Sequence, residues 1–476
     1  MEANAPLASR WTQIATRFLP FADAATRELP LSRLLRLSLF QVSVGMAAVL
    51  LTGTLNRVMI VELGIASWLV ALVVAIPLVF APLRALIGHK SDTHRSILGW
   101  KRVPYIWFGS LLQFGGFAIL PFALLIMSGD TLGPVWIGEA AAALAFLLVG
   151  AGMHTTQTAG LALATDLATP DSRPRVVALL YVMLLVGTLI SALFIGAALQ
   201  NFTPIRLIQV IQGAAALTMV LNIVALWKQE ARNPAQTAAD APRPAFASVW
   251  AEFIVNARTR RLLVAVGLGA AAFAMQDVLL EPYGGEVLGM SVGETTSLTA
   301  LWALGALLGF GWSAHRLSRD AEPHRLAAIG AVVGIFGFAM VVFASPLSST
   351  VLLAFGIALI GFGGGLFAVG TLTAAMALAA KGQSGLALGA WGAVQASCAG
   401  IAIAVGGIVR DIVAGLAERG ALGEALTGPA TSYGFVYHIE IALLFAALIA
   451  LGPLVRRAAP GETQTPHPFG LTEFPT

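Results

Sequence analysis

Apolar residues in this chain fall into twelve continuous runs, without the apolar–polar alternation of a half-buried strand. The runs lie at about 37–55, 65–83, 103–127, 140–163, 176–200, 205–227, 262–280, 294–314, 325–344, 350–378, 386–409 and 436–455. Each approaches the roughly 20 residues that a helix needs to cross a bilayer core about 30 Å thick. Continuous runs predict helices rather than barrel strands, which would show a period of two. The expected fold class is all-α: a polytopic membrane protein with twelve transmembrane helices.

The polar gaps set the topology. Of the 28 Lys and Arg residues, all but Arg57, Arg206, Arg410 and Arg419 fall in one alternate set of gaps. Basic residues accumulate on the cytoplasmic side of inner-membrane proteins. With an even number of spans, both termini are expected there. The longest polar stretch between spans, 228–261, carries Lys228, Glu230, Arg232, Asp240 and Arg243, with Pro234, Pro242 and Pro244. It divides the chain into a segment at 1–36, a six-span half at 37–227, a linker, a second half at 262–455 and a tail at 456–476. Trp11, Ile14, Phe18 and Phe21 are spaced for an interfacial amphipathic helix before Pro20 and Pro30 interrupt; a disordered tail is the alternative.

Composition agrees with this layout. Hydrophobic residues make up 58% of the 476, charged residues 11%, and mean hydropathy is +0.83. A soluble domain is about a quarter charged. The pI near 9.5 follows from dispersed loop cations, so nucleic acid is not an expected partner, whereas anionic lipid headgroups are. Cys398 is the single cysteine and permits no internal disulfide. Gly363, Gly364 and Gly365 lie in an apolar run without a following Lys-Ser/Thr pair, so no nucleotide site is expected. Neither a nucleophile elbow nor a Cys/His metal cluster occurs in the sequence; catalysis is not expected, and no catalytic or metal-ligating residue is assigned.

Six plus six helices around a linker is the layout of the major facilitator superfamily, whose halves enclose a midplane cavity. Gly88-x-x-x-Asp92, followed by Arg95, Lys101 and Arg102, resembles that superfamily's loop signature between helices 2 and 3. The signature's second glycine comes late, at Gly99, and His315 stands where a second-half Asp is expected. Longer stretches resemble the PucC/LhaA family, the bacteriochlorophyll-delivery branch of that superfamily. They are FLPFADA at 18–24, LRLSLFQVSVGMAAVLLTGTLNRVMIVEL within 34–63, RALIGHKSDTHRSILGWKRVPYIW at 84–107, TDLATPDSRPRVVALLYVMLLVGT at 165–188, QDVLLEPYGGEVLGMSVGETTSLT at 276–299 and GLALGAWGAVQ at 385–395. The resemblance implies an assembly factor for a purple-bacterial light-harvesting antenna. The implied partners are core antenna polypeptides, the reaction-centre complex, bacteriochlorophyll and the pigment-insertion machinery; service to the peripheral antenna is the nearest alternative.

The resemblance supplies no pigment ligand, so candidates rest on residue chemistry. His154 is the only His deep inside a span, and a neutral imidazole suits the Mg of a chlorophyll. Its alternative role is a hydrogen bond to a neighbouring helix, through Gln157. Gln157 and Gln395 are candidate pocket residues; Gln41, Gln113, Gln209, Gln212 and Asn222 are further amides within spans, most of them expected to bond between helices. Asp277, Glu281 and Glu286, with Tyr283, are placed at the outer end of the seventh span, Asp277 about 24 Å of helical rise from Arg261. They are expected either to gate a cavity or meet a partner, or to be a solvated loop with the helix broken at Pro282. Gly88, Asp92 and Arg95 are expected to form an intracellular latch, and Asp166 a junction with Arg173 and Arg175. Few acids are expected deep within the spans, which counts against a rival reading, a proton-coupled transporter; a pigment-free scaffold is the third reading.

Overall fold

A computed structural model describes residues 29–79, 87, 91, 100–128, 134–169, 173–231, 255–317, 319, 321–377 and 384–455. The N-terminal segment before residue 29, Gly88, Asp92, Arg95, linker residues 232–254 and the tail beyond 455 lie outside that set. In order, the helices are α1 (Leu31–Glu62), α2 (Ser67–Val79), α3 (Val103–Met127), α4 (Val135–Leu167), α5 (Arg173–Ala198) and α6 (Pro204–Leu226). There follow α7 (Ala257–Val278), the short α8 (Leu280–Leu288), α9 (Val292–Leu317), α10 (Pro323–Ala344), α11 (Thr350–Ala377), α12 (Ser384–Glu418) and α13 (Ala430–Leu451). No strand occurs among the described residues. Among the described residues eleven helices are long and apolar enough to cross a bilayer; the described part of α2 is shorter, and the residues after it fall outside the described set. The long apolar runs made most of the spans legible, the third to the residue.

Cations gather on one face. Arg33 of α1 bonds to Gln229 after α6, and Arg102 at the start of α3 pairs with Asp166 at the end of α4. Arg261 of α7 donates to the Ala450 carbonyl near the end of α13. This side is termed the basic face. Glu230 accepts from the main-chain N–H groups of Lys101, Arg102 and Val103, so one carboxylate caps the N-terminus of α3, where the helix dipole favours an anion. Asp166 thus takes Arg102 as a partner; the side chains of Arg173 and Arg175 lie outside the described set.

The helices nearest the seam between the halves are the most enclosed. In their most apolar windows, 72% of α1 and 61% of α7 are buried, against 33% of α6. One apolar core joins the halves, including Met46, Leu50, Val70, Ile195, Met275, Leu298 and Ile403. Towards the basic face the first half has a separate core of Leu34, Phe40, Ile106, Leu163, Val176 and Ala225. The halves therefore close on each other away from the basic face. There α5 and α9 cross at Gly196 and Gly293, where a Cβ on Gly293 would stand 2.5 Å from the Gly196 carbonyl oxygen. A larger residue would force the helices apart.

Two departures from the expected spans shape the seam. α1 runs well past residue 55, with π-helical turns at Val49–Thr54 and Val58–Glu62. Such turns concentrate at functional positions. The seventh span ends near residue 280 as expected, but not as a regular helix followed by a loop. It loosens into a 3₁₀ turn at Met275–Val278 and continues as α8. Pro282 sits in the first turn of α8, where no N–H is required, so the break falls before it rather than at it. Gly289, at φ 66°, ends α8, with Met290 N–H returning to the Gly284 carbonyl.

Candidate functional site

The three carboxylates expected together at the outer end of the seventh span go three ways, and none forms a solvated loop. Glu281 is 2% exposed, because α8 carries it into the seam. It accepts from Thr299 Oγ1 at 2.6 Å and Thr296 Oγ1 at 3.3 Å, both on α9. Thr54 of α1 stands 3.2 Å from Thr296, so a hydroxyl relay runs from one half to the carboxylate in the other. Gly53 makes room for it: a Cβ there would collide with Glu281 Oε1. Arg57, one turn further along α1, lies within electrostatic range of Glu281, pairs with Glu62 at 2.5 Å and donates to the Met290 carbonyl at 3.1 Å.

Glu286 belongs to a second cluster. It takes Arg410 Nη2 at 2.5 Å and the Tyr433 hydroxyl at 2.7 Å, while the guanidinium lies 5.0 Å over the Tyr433 ring. Arg410 also holds Asp411 at 2.9 Å, and Asp411 accepts the main-chain N–H of Trp68 at 2.6 Å, tying α12 to the start of α2. Arg57 and Arg410 thus bond across or beside the seam. Arg206 and Arg419, the other cations away from the basic face, donate to carbonyls at the exposed rim.

Asp277 stands on the 3₁₀ turn and faces inward. Asn56 of α1 donates to its main-chain carbonyl at 3.1 Å and to the Thr52 carbonyl within its own helix. Its carboxyl lies within electrostatic reach of Glu440, midway along α13. Asp277 is the next-to-last residue of α7 and is followed by a second helix rather than by a solvated loop. Tyr283 is 2% exposed and donates to the Val341 carbonyl of α10 at 2.9 Å; its ring meets Tyr433 and Tyr437 edge-on. It braces α8 from within.

Glu440 escaped the sequence reading. It is fully buried, and with Glu281 it is one of two buried acids among the described residues, so deep acids are few but not absent. The signal was there: one acid inside the run Tyr433–Leu451, beside His438.

The amides of the first half mostly join helices. Gln157 Nε2 donates to Gln41 at 3.3 Å, Gln113 to Thr156 at 3.1 Å, and Asn222 links Ser43 and Ser110. Gln209 and Gln212 are exposed on α6 and face no internal cavity. His154 is buried on α4 at 6% exposure, and Gln395 is half-buried on α12. Among the described residues no group of three or more His, Cys, Asp or Glu is placed to hold a metal ion.

Two packed helical halves with a polar seam define a polytopic membrane protein of the major facilitator fold. In solved structures the same fold is seen in a mutant of the nucleoside transporter NupG, which superposes with a TM-score of 0.67 at 14% identity over 89% of this chain and all of that one. Residues 54–459 match the family model described as PUCC protein, and the chain belongs to that family. It is 57% identical over 471 residues to an uncharacterized protein of the puhA–bchM intergenic region of Rhodobacter capsulatus, covering 97% of this chain and 98% of the relative. It is also 57% identical over 411 residues to Protein PucC of Rhodovulum sulfidophilum, covering 85% and 90%.

Proposed function

We propose that this protein is an assembly factor for the core light-harvesting antenna around the reaction centre, closest in role to LhaA, and that it binds or hands over bacteriochlorophyll while antenna polypeptides enter the membrane. Membership of the PUCC family over residues 54–459 carries this reading. Its place is the inner photosynthetic membrane, with the basic face and both termini towards the cytoplasm, where anionic lipid attracts Arg33, Lys101 and Arg261.

His154 is the donor whose chemistry suits the pigment's Mg: an imidazole buried on α4, next to Thr155 and three residues before Gln157. Gln157 already spends its Nε2 on Gln41, which fits an orienting role better than ligation. Bacteriochlorophyll would supply a broad apolar ring and a Mg acceptor, and His154 is the residue that would hold it.

Gentle purification of the whole protein, with a near-infrared spectrum, pigment extraction and protein identification on the same fraction, tests the reading. Stoichiometric bacteriochlorophyll that survives removal of antenna and reaction-centre subunits is expected, and His154→Phe should reduce it severalfold. Unchanged pigment in that variant removes His154 as ligand. Core subunits without pigment would indicate a scaffold. Finding neither pigment nor partners would favour a transporter, the reading to which the buried acids of the seam lend weight.

A further inference from the structure

The seam buries more acid than its hydrogen bonds account for. Glu440 is fully buried midway along α13, and the Gln276 main-chain N–H faces it, yet neither carboxyl oxygen reaches hydrogen-bond geometry. Its charged neighbour is another acid, Asp277, on the 3₁₀ turn of α7. Tyr437, less than one helical turn away on α13, is fully buried with its hydroxyl unpartnered. So are Gln276 Oε1, beside Asp277, and Oδ1 of Asn56, the amide that grips the Asp277 carbonyl.

The charged groups around the joint are committed elsewhere: Arg57 of α1, beside Asn56, pairs with Glu62 and donates to the Met290 carbonyl, and Glu281 of α8 is held by Thr296 and Thr299. From α8 and α13 come Tyr283 and Tyr433; α10 carries no titratable side chain between Arg325 and Ala344. From α12 come Arg410 and Asp411, already committed to Glu286, to each other and to Trp68. An ionised carboxylate buried without donors is costly, and two neighbouring carboxylates resist ionising together. Glu440 Oε1 and Oε2, Gln276 Oε1 and Asn56 Oδ1 are orphaned acceptors, while the orphaned donors of the seam, Arg57 Nε and Arg410 Nε, belong to guanidiniums already paired with other acids, so the gap at Glu440 asks for a small cation. Two carboxyls without a third acidic, His or Cys ligand suit a proton better than a divalent metal.

We propose that Glu440 and Asp277 form a proton-binding pair that holds one exchangeable proton at the joint of α7, α13 and α1. The proton keeps the 3₁₀ turn neutral while Asn56 holds its carbonyl from the other half. Its loss places net negative charge in an apolar layer. Water reaching inward from the cleft lined by Tyr283, Ser345, Thr431 and Tyr437 would then have to solvate it, so proton occupancy favours the closed seam. Nothing in this depends on pigment or antenna binding.

Infrared difference spectroscopy of the whole protein in lipid nanodiscs, titrated over pH in KCl and again in NaCl, tests the pair. The expected result is a protonated-carboxyl band at neutral pH that shifts in heavy water, is lost in Glu440→Gln, and moves in frequency in Asp277→Asn. Thermal melting of both variants checks that they fold. If Glu440→Gln does not fold, the frequency shift in Asp277→Asn decides alone. A spectrum unchanged in the folded variants overturns the proposal. So does a band abolished by NaCl but not by KCl, which would make the pair a sodium site.

Discussion

Gly53 and Glu281 show how one missing side chain positions a charge between the halves. Any Cβ at residue 53 meets Glu281 Oε1, so the carboxylate would have to leave Thr296 and Thr299 or push α1 away from α8. Gly53→Val should cost about 1–3 kcal/mol, the usual range for overpacking, and lower the thermal midpoint of the purified protein. An unchanged midpoint would mean that the seam is slacker than its contacts indicate. The four cations that break the charge bias were visible in the sequence, yet two have a seam role and two sit at the rim. Arg57 and Arg410 differ from Arg206 and Arg419 only through the acids and carbonyls that the fold brings to them. That pairing comes from elements far apart in sequence, such as Glu286 with Arg410, and periodicity carries no trace of it.

Among the elements, the spans themselves were the legible part, because hydrocarbon demands long apolar helices and leaves charges in the gaps. Their interruptions were not. Pro282 drew attention as a breaker, but a proline in a first turn is compatible with a helix, and the loosened stretch Met275–Val278 contains neither glycine nor proline. The π turns of α1 were not legible either: the first contains Gly53, but a lone glycine in an apolar run does not by itself mark a π turn. The cap on α3 was equally hidden, since Glu230 comes from beyond α6. Glu230→Ala frees three N–H groups at once and should cost about 1 kcal/mol. Amide exchange at Lys101, Arg102 and Val103 should then quicken while that of mid-helix amides stays unchanged; equal rates in both proteins would show that water caps the helix as well.

At the scale of the whole molecule, the two halves meet away from the basic face, and the polar contacts of that seam are its testable feature. Thr54 and Thr296 face each other with oxygens 3.2 Å apart. In a Cys398→Ala background, Thr54→Cys with Thr296→Cys should cross-link on oxidation and yield a band resistant to unfolding on a gel. If antenna assembly requires the seam to open, the oxidised protein should lose it and reductant should restore it. Full assembly by the cross-linked form would mean that the closed arrangement is the working one. The candidate site was partly legible at this scale: Asp277 and Glu281 stood out as acids beside a span, whereas Glu440 was hidden in the last one. Only the fold brings residues 277 and 440 together.

Several bonds of the seam end on main chain: Asn56 on the carbonyl of residue 277, Arg57 on that of residue 290, and Asp411 on the N–H of residue 68. A backbone carbonyl or N–H survives almost any substitution at its own position, with proline at 68 the exception because it removes the N–H. Saturation mutagenesis should therefore give a lopsided map, intolerant at 56, 57 and 411 and permissive at 290 and 68, although each pair shares a single contact. Along this seam, tolerance to substitution reports which partner lends a side chain, and a permissive position is no sign that nothing is held there.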